Sequence, residues 1–197
     1  MEHYYSETQT SKLRIKEITE NLRGNNIQLK TGSGIFSIGK VDRGTALLIE
    51  KCIIKPNWKI LDLGCGYGAI GISIAKAFPS AYILMTDINR RAIHLSEMNA
   101  ELNKLQNLEI RQSNIYQKID EKVDTILTNP PQLAGRKICF EIIEGAKTHL
   151  NKNGLLQLVA RHNKGGKELE KKMNEVFGNV EDIAKKSGYR VYVSKLS

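Results

Sequence analysis

The sequence predicts an α/β fold: a Rossmann-like, doubly wound, mainly parallel seven-stranded sheet with an antiparallel last strand, preceded by a short N-terminal extension. Three observations carry this. Short apolar runs alternate with segments of helical periodicity from about residue 45 onward, the order that builds parallel sheets with helices on both faces. A glycine-rich stretch, Gly64-Cys65-Gly66-Tyr67-Gly68, joins the first of these runs to a helix, where such sheets meet a ligand. The last two apolar runs flank Gly188 and are expected to close as an antiparallel pair.

In chain order, Ile27 to Thr31 and Ile35 to Ile38 surround the turn-prone Gly32-Ser33-Gly34 and predict a small hairpin. Thr45 to Ile53 carries Ala46, Leu47, Ile49 and Ile53 at helical spacing. Trp58 to Leu63 reads as a buried strand, Ala69 to Ala77 as a helix, Ala81 to Thr86 as a strand and Arg91 to Leu102 as a helix. Leu108 to Arg111 and Lys122 to Thr128 are further strands. A helix from about Lys137 to His149 is expected to stop at Asn153-Gly154, with Leu155 to Ala160 a strand after it. Lys167 to Phe177 is helical, and Val180 to Ala184 pairs with Tyr189 to Ser194. No repeat or low-complexity linker divides the chain. Residues 1–44 therefore read as an extension and 45–197 as the main domain.

A chain of 197 residues with 41% hydrophobic content and no tract able to span a bilayer can bury a core. Met1 to Glu7 lacks the zones of a signal peptide, and neither end carries a lipidation or retention signal, so a cytoplasmic location is expected. Cys52, Cys65, Cys139 and four scattered histidines have no metal-ligand spacing, which predicts buried thiols and no metal. Lys and Arg number 30 against 21 acidic residues, a net charge of +9. Residues 136–197 hold 13 basic and 7 acidic residues, so most of the excess lies in the last third. This favours a polyanionic partner, nucleic acid first.

Two stretches carry chemistry. Ile60-Leu61-Asp62-Leu63 runs into the glycine loop, and the next strand ends at Asp87 on the same edge. A carboxylate there accepts from both hydroxyls of a ribose, so the pair predicts nucleoside binding. Gly64, Gly66 and Ala69 also satisfy a dinucleotide fingerprint, which leaves a dehydrogenase open. Asp62 and Gly68 favour a different cofactor, because a carboxylate before the first glycine would repel a pyrophosphate but suits a cationic aminoacyl group. The second stretch is Asn129-Pro130-Pro131-Gln132, after the apolar run ending at Thr128. Two prolines remove donors and stop the strand with its carbonyls expected to be unpaired. A plain turn explains this alone. Yet the Asn129 side-chain oxygen and the Pro130 carbonyl together could receive both hydrogens of one amino group.

With these residues in view, the chain resembles the class I S-adenosylmethionine-dependent methyltransferases, on Asp62 to Gly68 and on Asp87. Gly34-Ile35-Phe36-Ser37 with Asp42-Arg43-Gly44-Thr45-Ala46-Leu47-Leu48, and Asn129-Pro130-Pro131 with Gly135, are similar to the small-domain members that include the ribosomal small-subunit guanine-N2 enzymes. The resemblance extends from about Gly34 to Val193 and includes small archaeal single-domain members. It implies S-adenosylmethionine as cofactor, with Asp62, Gly64, Gly66 and Gly68 at its methionine end, Asp87 with Ile88 at the ribose, and Asn114 and Ile115 at the adenine. The family often has aspartate where Asn114 stands; an asparagine oxygen also accepts. Lys40, Gly44 and Thr45 would line the cofactor entrance. Asn129, Pro130, Pro131 and Gln132 would form the catalytic signature.

The reaction this resemblance implies is methyl transfer to an exocyclic amino group of a base in RNA, guanine N2 in ribosomal RNA first, with the RNA or ribosomal subunit as partner. A glutamine-amide methyltransferase of a release factor, a binding module without turnover and, last, a dehydrogenase stay open. Gln132 departs from the family, which commonly stacks an aromatic there on the target base. Tyr116, Phe36 or Arg136 are candidates to replace it, or Gln132 hydrogen-bonds a base edge. Arg90 and Arg91 read as a solvated face, and Arg161 to Gly166 as a candidate phosphate contact on the ligand-bearing edge.

Overall fold

The computed structural model describes residues 7–9 and 11–197 of the chain. The first six residues, which bear on the expected lack of targeting signals, lie outside the described residues. Among the described residues no helix is long and apolar enough to cross a membrane.

Among the described residues, nine strands and five α-helices follow one another as β1 (Ile15–Leu22), β2 (Asn25–Gly32), α1 (Arg43–Lys51), β3 (Lys59–Leu63), α2 (Ala69–Ala77), β4 (Tyr82–Asp87), α3 (Arg90–Leu102), β5 (Leu108–Gln112), β6 (Val123–Thr128), α4 (Arg136–His149), β7 (Leu150–Arg161), α5 (Lys167–Phe177), β8 (Glu181–Lys186) and β9 (Tyr189–Lys195). Seven strands form one sheet in the order β5-β4-β3-β6-β7-β9-β8. Neighbours are parallel from β5 to β7, while β9 runs antiparallel to both β7 and β8. The predicted seven-stranded, doubly wound sheet with its antiparallel last strand is therefore present. Its first strand, β3, lies centrally; the chain winds outward through β4 and β5, then returns to β6 on the other side of β3. That reversal opens a crevice at the carboxyl ends of β3 and β6.

Two apolar layers sandwich the sheet. One packs α1, α2 and α3 through Leu48, Ile49, Ile72, Ile74 and Leu95; the other packs α4 and α5 through Ile143, Ala146, Leu169 and Met173. Cys52, Cys65 and Cys139 are buried free thiols.

Three expectations are corrected. The hairpin pairs β2 with β1 upstream, and its turn is Arg23-Gly24, both at positive φ (50° and 76°), the combination that matches strand twist. Ile35 to Ile38 is not a strand: Gly34, Ser37 and Gly39 all adopt positive φ. Asn153-Gly154 does not stop a helix, because α4 already ends at His149 and Leu150 is extended. The pair instead sits inside the long β7, with Asn153 at φ 64° beside a register shift against β6, the signature of a bulge.

The hairpin is fastened to α3 by two asparagines. Asn99 accepts from Lys30 N (2.7 Å) and donates to Lys30 O (3.0 Å). One helical turn on, Asn103 donates to Gln28 O (2.8 Å) and faces Gln28 N. Asn99 also donates to Tyr67 O in the glycine loop (2.8 Å).

Candidate active site

A cavity of about 210 Å³ opens at the carboxyl ends of β3, β4 and β6. The loop after β3 forms its floor. Gly64 and Gly66 both hold positive φ (75° and 59°), and a Cβ on either would project into open space. Glycine is thus needed for the turn, and its bareness leaves backbone exposed to a ligand. The loop is tied to the end of β4: Gly64 N and Cys65 N donate to Thr86 O, at 2.8 and 2.9 Å.

Asp87, at the tip of β4, accepts from Gly66 N at 2.9 Å and from Asn89 N at 2.8 Å. The Ile88 N–H also bonds this carboxylate, which lines the cavity. Burial pushes its carboxyl above the usual range, against these backbone donors. Asp62 lies deeper, fully buried. Its Oδ2 accepts from Gly71 N at 2.8 Å, whereas its Oδ1 has no hydrogen-bond partner. Burial raises its carboxyl to about 7.

Opposite the glycine loop, Asn129, Pro130 and Pro131 line the same cavity. Asn129 Nδ2 donates to Thr45 Oγ1 at 2.9 Å and approaches Asp42 Oδ2 at 3.5 Å. No described residue donates to its Oδ1. The Pro130 carbonyl is not unpaired, contrary to expectation: it accepts from Gln132 N at 2.8 Å, because Pro131, at φ −74° and ψ 77°, closes an inverse γ-turn just before the 3-10 turn Gln132–Ala134. One of its lone pairs remains.

The other predicted residues divide. Thr45, Ile88, Asn114 and Ile115 line the cavity, Ile115 with an unusual φ of 48° for a β-branched residue. Gly68 does not: it caps α2, and a Cβ there would come within 2.8 Å of Met85 Cε. Gly44 does not either, since the Tyr189 ring packs on it. Lys40 contributes its carbonyl to Tyr67 Oη (3.1 Å), which holds the entrance segment over the glycine loop.

Gln132 does not line the cavity. Its Nε2 donates to Lys164 O and its Oε1 accepts from Arg161 N. Of the candidates to replace the stacking aromatic, Tyr116 is stacked on His149 and hydrogen-bonded to Ile142 O, and Arg136 is ion-paired with Glu168. Phe36 lines the cavity and is 38% exposed. Arg91 is no solvated face: its guanidinium donates to Ser33 O, Gln9 O and Ser11 O, binding the segment before β1 to α3.

Sequence reasoning missed the role of Tyr189. Its Oη donates to Asp42 Oδ1 at 3.1 Å, from β9 to the N-cap of α1 147 residues earlier in the chain, and no local pattern could announce so distant a contact.

The methyltransferase small domain family matches residues 26–193. The chain belongs to that family. As a methyltransferase of this kind it is 38% identical to the uncharacterized protein YbxB of Bacillus subtilis (strain 168), over 98% of both chains. It is 35% identical to the ribosomal RNA small subunit methyltransferase C of Haemophilus influenzae (strain PittGG), covering 86% of this chain and 52% of that one. The chain thus spans about half the length of such curated relatives. A similar solved structure is the T. Thermophilus 16S rRNA N2 G1207 methyltransferase (RsmC) in complex with AdoMet and guanosine, with a TM-score of 0.80 at 22% identity over 96% of this chain and 52% of that one. Membership in a methyltransferase family also removes the dehydrogenase reading.

Proposed function

We propose that this chain transfers a methyl group from S-adenosylmethionine to the exocyclic amino group of a base in RNA, guanine N2 of ribosomal RNA being the first candidate. One observation carries the reading: the acceptors Asn129 and Pro130 share a cavity with Asp87 and the bare glycines Gly64 and Gly66. The related rRNA methyltransferases and the net charge of +9 support an RNA substrate.

The residues present fit the cofactor. Gly64 and Gly66 leave room against backbone, the Asp87 carboxylate lines the cavity as an acceptor for a ribose hydroxyl, and the orphaned Asp62 Oδ1 suits a positive group, directly or through water. Asn114 and Ile115, which line the same cavity, are assigned to the adenine in this reading. When bound, S-adenosylmethionine supplies an electrophilic methyl on a sulfonium whose departure leaves a neutral thioether.

An exocyclic amine is a poor nucleophile because its lone pair is delocalised into the ring. Asn129 Oδ1 and the Pro130 carbonyl, each taking one of its hydrogens, concentrate density on nitrogen and fix its line of approach. The nitrogen lone pair so directed would take the methyl group that the bound cofactor supplies, and the proton then shed by nitrogen would pass to water. A base within paired RNA must first leave the stack. We further propose that the stretch up to Gly44 is an N-terminal extension that ends in the cofactor-entry segment, and that the protein works in the cytoplasm.

The test incubates the protein with labelled S-adenosylmethionine and separate pools of unmodified ribosomal subunits, transfer RNA and release factor. Label in ribosomal RNA is expected. Label confined to protein would overturn the RNA reading, and no label anywhere would favour a binding module.

A further inference from the structure

We infer that Thr45 is a positioning residue for methyl transfer: its hydroxyl, backed by the Asp42 carboxylate, selects the single amide orientation of Asn129 that turns the side-chain oxygen to the cavity. The inference rests on the acceptor role proposed for Asn129.

A primary amide has two ends of nearly equal shape, one donating and one accepting. Rotating Asn129 by half a turn would put –NH2 in the cavity, where it would oppose an amino group instead of accepting from it. Shape does not decide between the two orientations; the partners do. Nδ2 lies 2.9 Å from Thr45 Oγ1 and 3.5 Å from Asp42 Oδ2. A carboxylate offers only acceptors, so the reversed amide would set oxygen against oxygen there.

Asp42 is itself held on both sides. Its Oδ2 caps α1 by accepting from Gly44 N (2.8 Å) and Thr45 N (3.2 Å), a standard N-cap arrangement. Its Oδ1 accepts from Tyr189 Oη on β9 at 3.1 Å. Tyr189 can reach it because residue 44 is glycine: a Cβ there would lie 2.5 Å from Tyr189 Cδ1. The Arg161 guanidinium stands 5.1 Å from the centre of the same ring. The helix start that the family resemblance assigns to the cofactor entrance thus also fixes which end of Asn129 faces substrate. Thr45 belongs to the reaction through Asn129, without needing to touch the reacting atoms.

The experiment compares Thr45→Val, which keeps the shape and removes the hydroxyl, with Thr45→Ser, which restores it. The readouts are kcat and KM on unmodified ribosomal subunits, S-adenosylmethionine affinity by calorimetry, and the thermal midpoint. Thr45→Val is expected to lower kcat on the order of tenfold, the factor one such hydrogen bond corresponds to, with KM and cofactor affinity within about twofold. Thr45→Ser should recover most of that loss. Tyr189→Phe, a second route to the same device that leaves the cap intact, should lower kcat less and leave cofactor affinity unchanged. Wild-type kcat in Thr45→Val beside an inactive Asn129→Ala overturns the inference alone. Parallel losses of cofactor affinity and thermal midpoint in Thr45→Val and Thr45→Ser overturn it as well, because they mark a structural role. Full activity in Asn129→Ala instead removes the acceptor reading on which it stands.

Discussion

Gln132 and Lys164 are joined across two loops: the Gln132 Nε2 donates to the Lys164 carbonyl at 3.0 Å. With Arg161 N donating to Gln132 Oε1 at 3.3 Å, one side chain uses both ends to clip the turn after β6 to the turn after β7. Replacing Gln132 by Ala should cost about 1 kcal/mol of stability, for two neutral hydrogen bonds near the surface. It should also raise KM for RNA severalfold while cofactor affinity stays constant. Gln132→Glu should be worse than Ala, since a carboxylate cannot donate to the Lys164 carbonyl. Thermal denaturation and steady-state kinetics check both, and an unchanged KM in each variant would show that the clip has no bearing on RNA.

Asn129→Ala removes the cavity-facing acceptor without touching the glycine loop or Asp87. Transfer should fall on the order of 10²-fold or more, the usual effect of losing one preorganised group at a reacting atom, with S-adenosylmethionine affinity retained. Single-turnover transfer beside calorimetry tests this; equal losses in both would assign Asn129 to cofactor binding.

Asp62 makes the cofactor-free protein sensitive to pH. Burial raises its folded-state pKa to about 7, whereas an unfolded aspartate titrates near 3.9. The folded state therefore holds a proton that the unfolded chain has released. Its contribution is fully present below about pH 4 and is lost as pH rises through about 7. Asp62→Asn cannot ionise, so its thermal midpoint should exceed that of the natural protein by more at pH 8 than at pH 5. An identical difference at both values would rule out this titration. Cofactor affinity should drop in the same variant.

Gly44→Ala should destabilise by about 1–3 kcal/mol, the range for forcing extra volume into a packed site. The clash is with Tyr189, so Tyr189→Ala should be less harmful in that background than in the natural one. Chemical denaturation of the double-mutant cycle measures this, and strict additivity would refute the contact.

Arg91→Ala should release the segment before β1, which the guanidinium holds through the Ser11 and Gln9 carbonyls. Limited proteolysis ahead of Leu13 should accelerate severalfold, with α3 itself intact by circular dichroism. Unchanged cleavage would mean that the Arg90–Glu7 ion pair suffices.

Much of this architecture could be read from sequence, and the exceptions have physical causes. Ala69 to Ala77 and Lys167 to Phe177 were legible to the residue because apolar periodicity and terminal glycines agree. β1 was not, because Ile15, Ile18 and Leu22 recur at intervals of three and four, which imitates a helix. Only pairing with β2 overrides that pattern. Within the site, Gly64, Gly66 and Asp87 follow from their place at strand ends. The work of Thr45 and Tyr189 depends on partners 84 and 147 residues away, and local sequence holds no trace of them. Gly68 shows the converse, since its motif position suggests a ligand and its packing against Met85 explains it without one.

The two asparagines of α3 have a consequence for how the protein behaves in company. Asn99 and Asn103 face β2 at Lys30 and Gln28, amide to backbone, as a neighbouring strand would. The helix thereby occupies a sheet edge that would otherwise recruit extended peptide from another molecule. Removing both amides would create an adhesive border and also strip the Tyr67 carbonyl in the glycine loop of its donor, so self-association at high concentration is a penalty this pair guards against in addition to a loosened site.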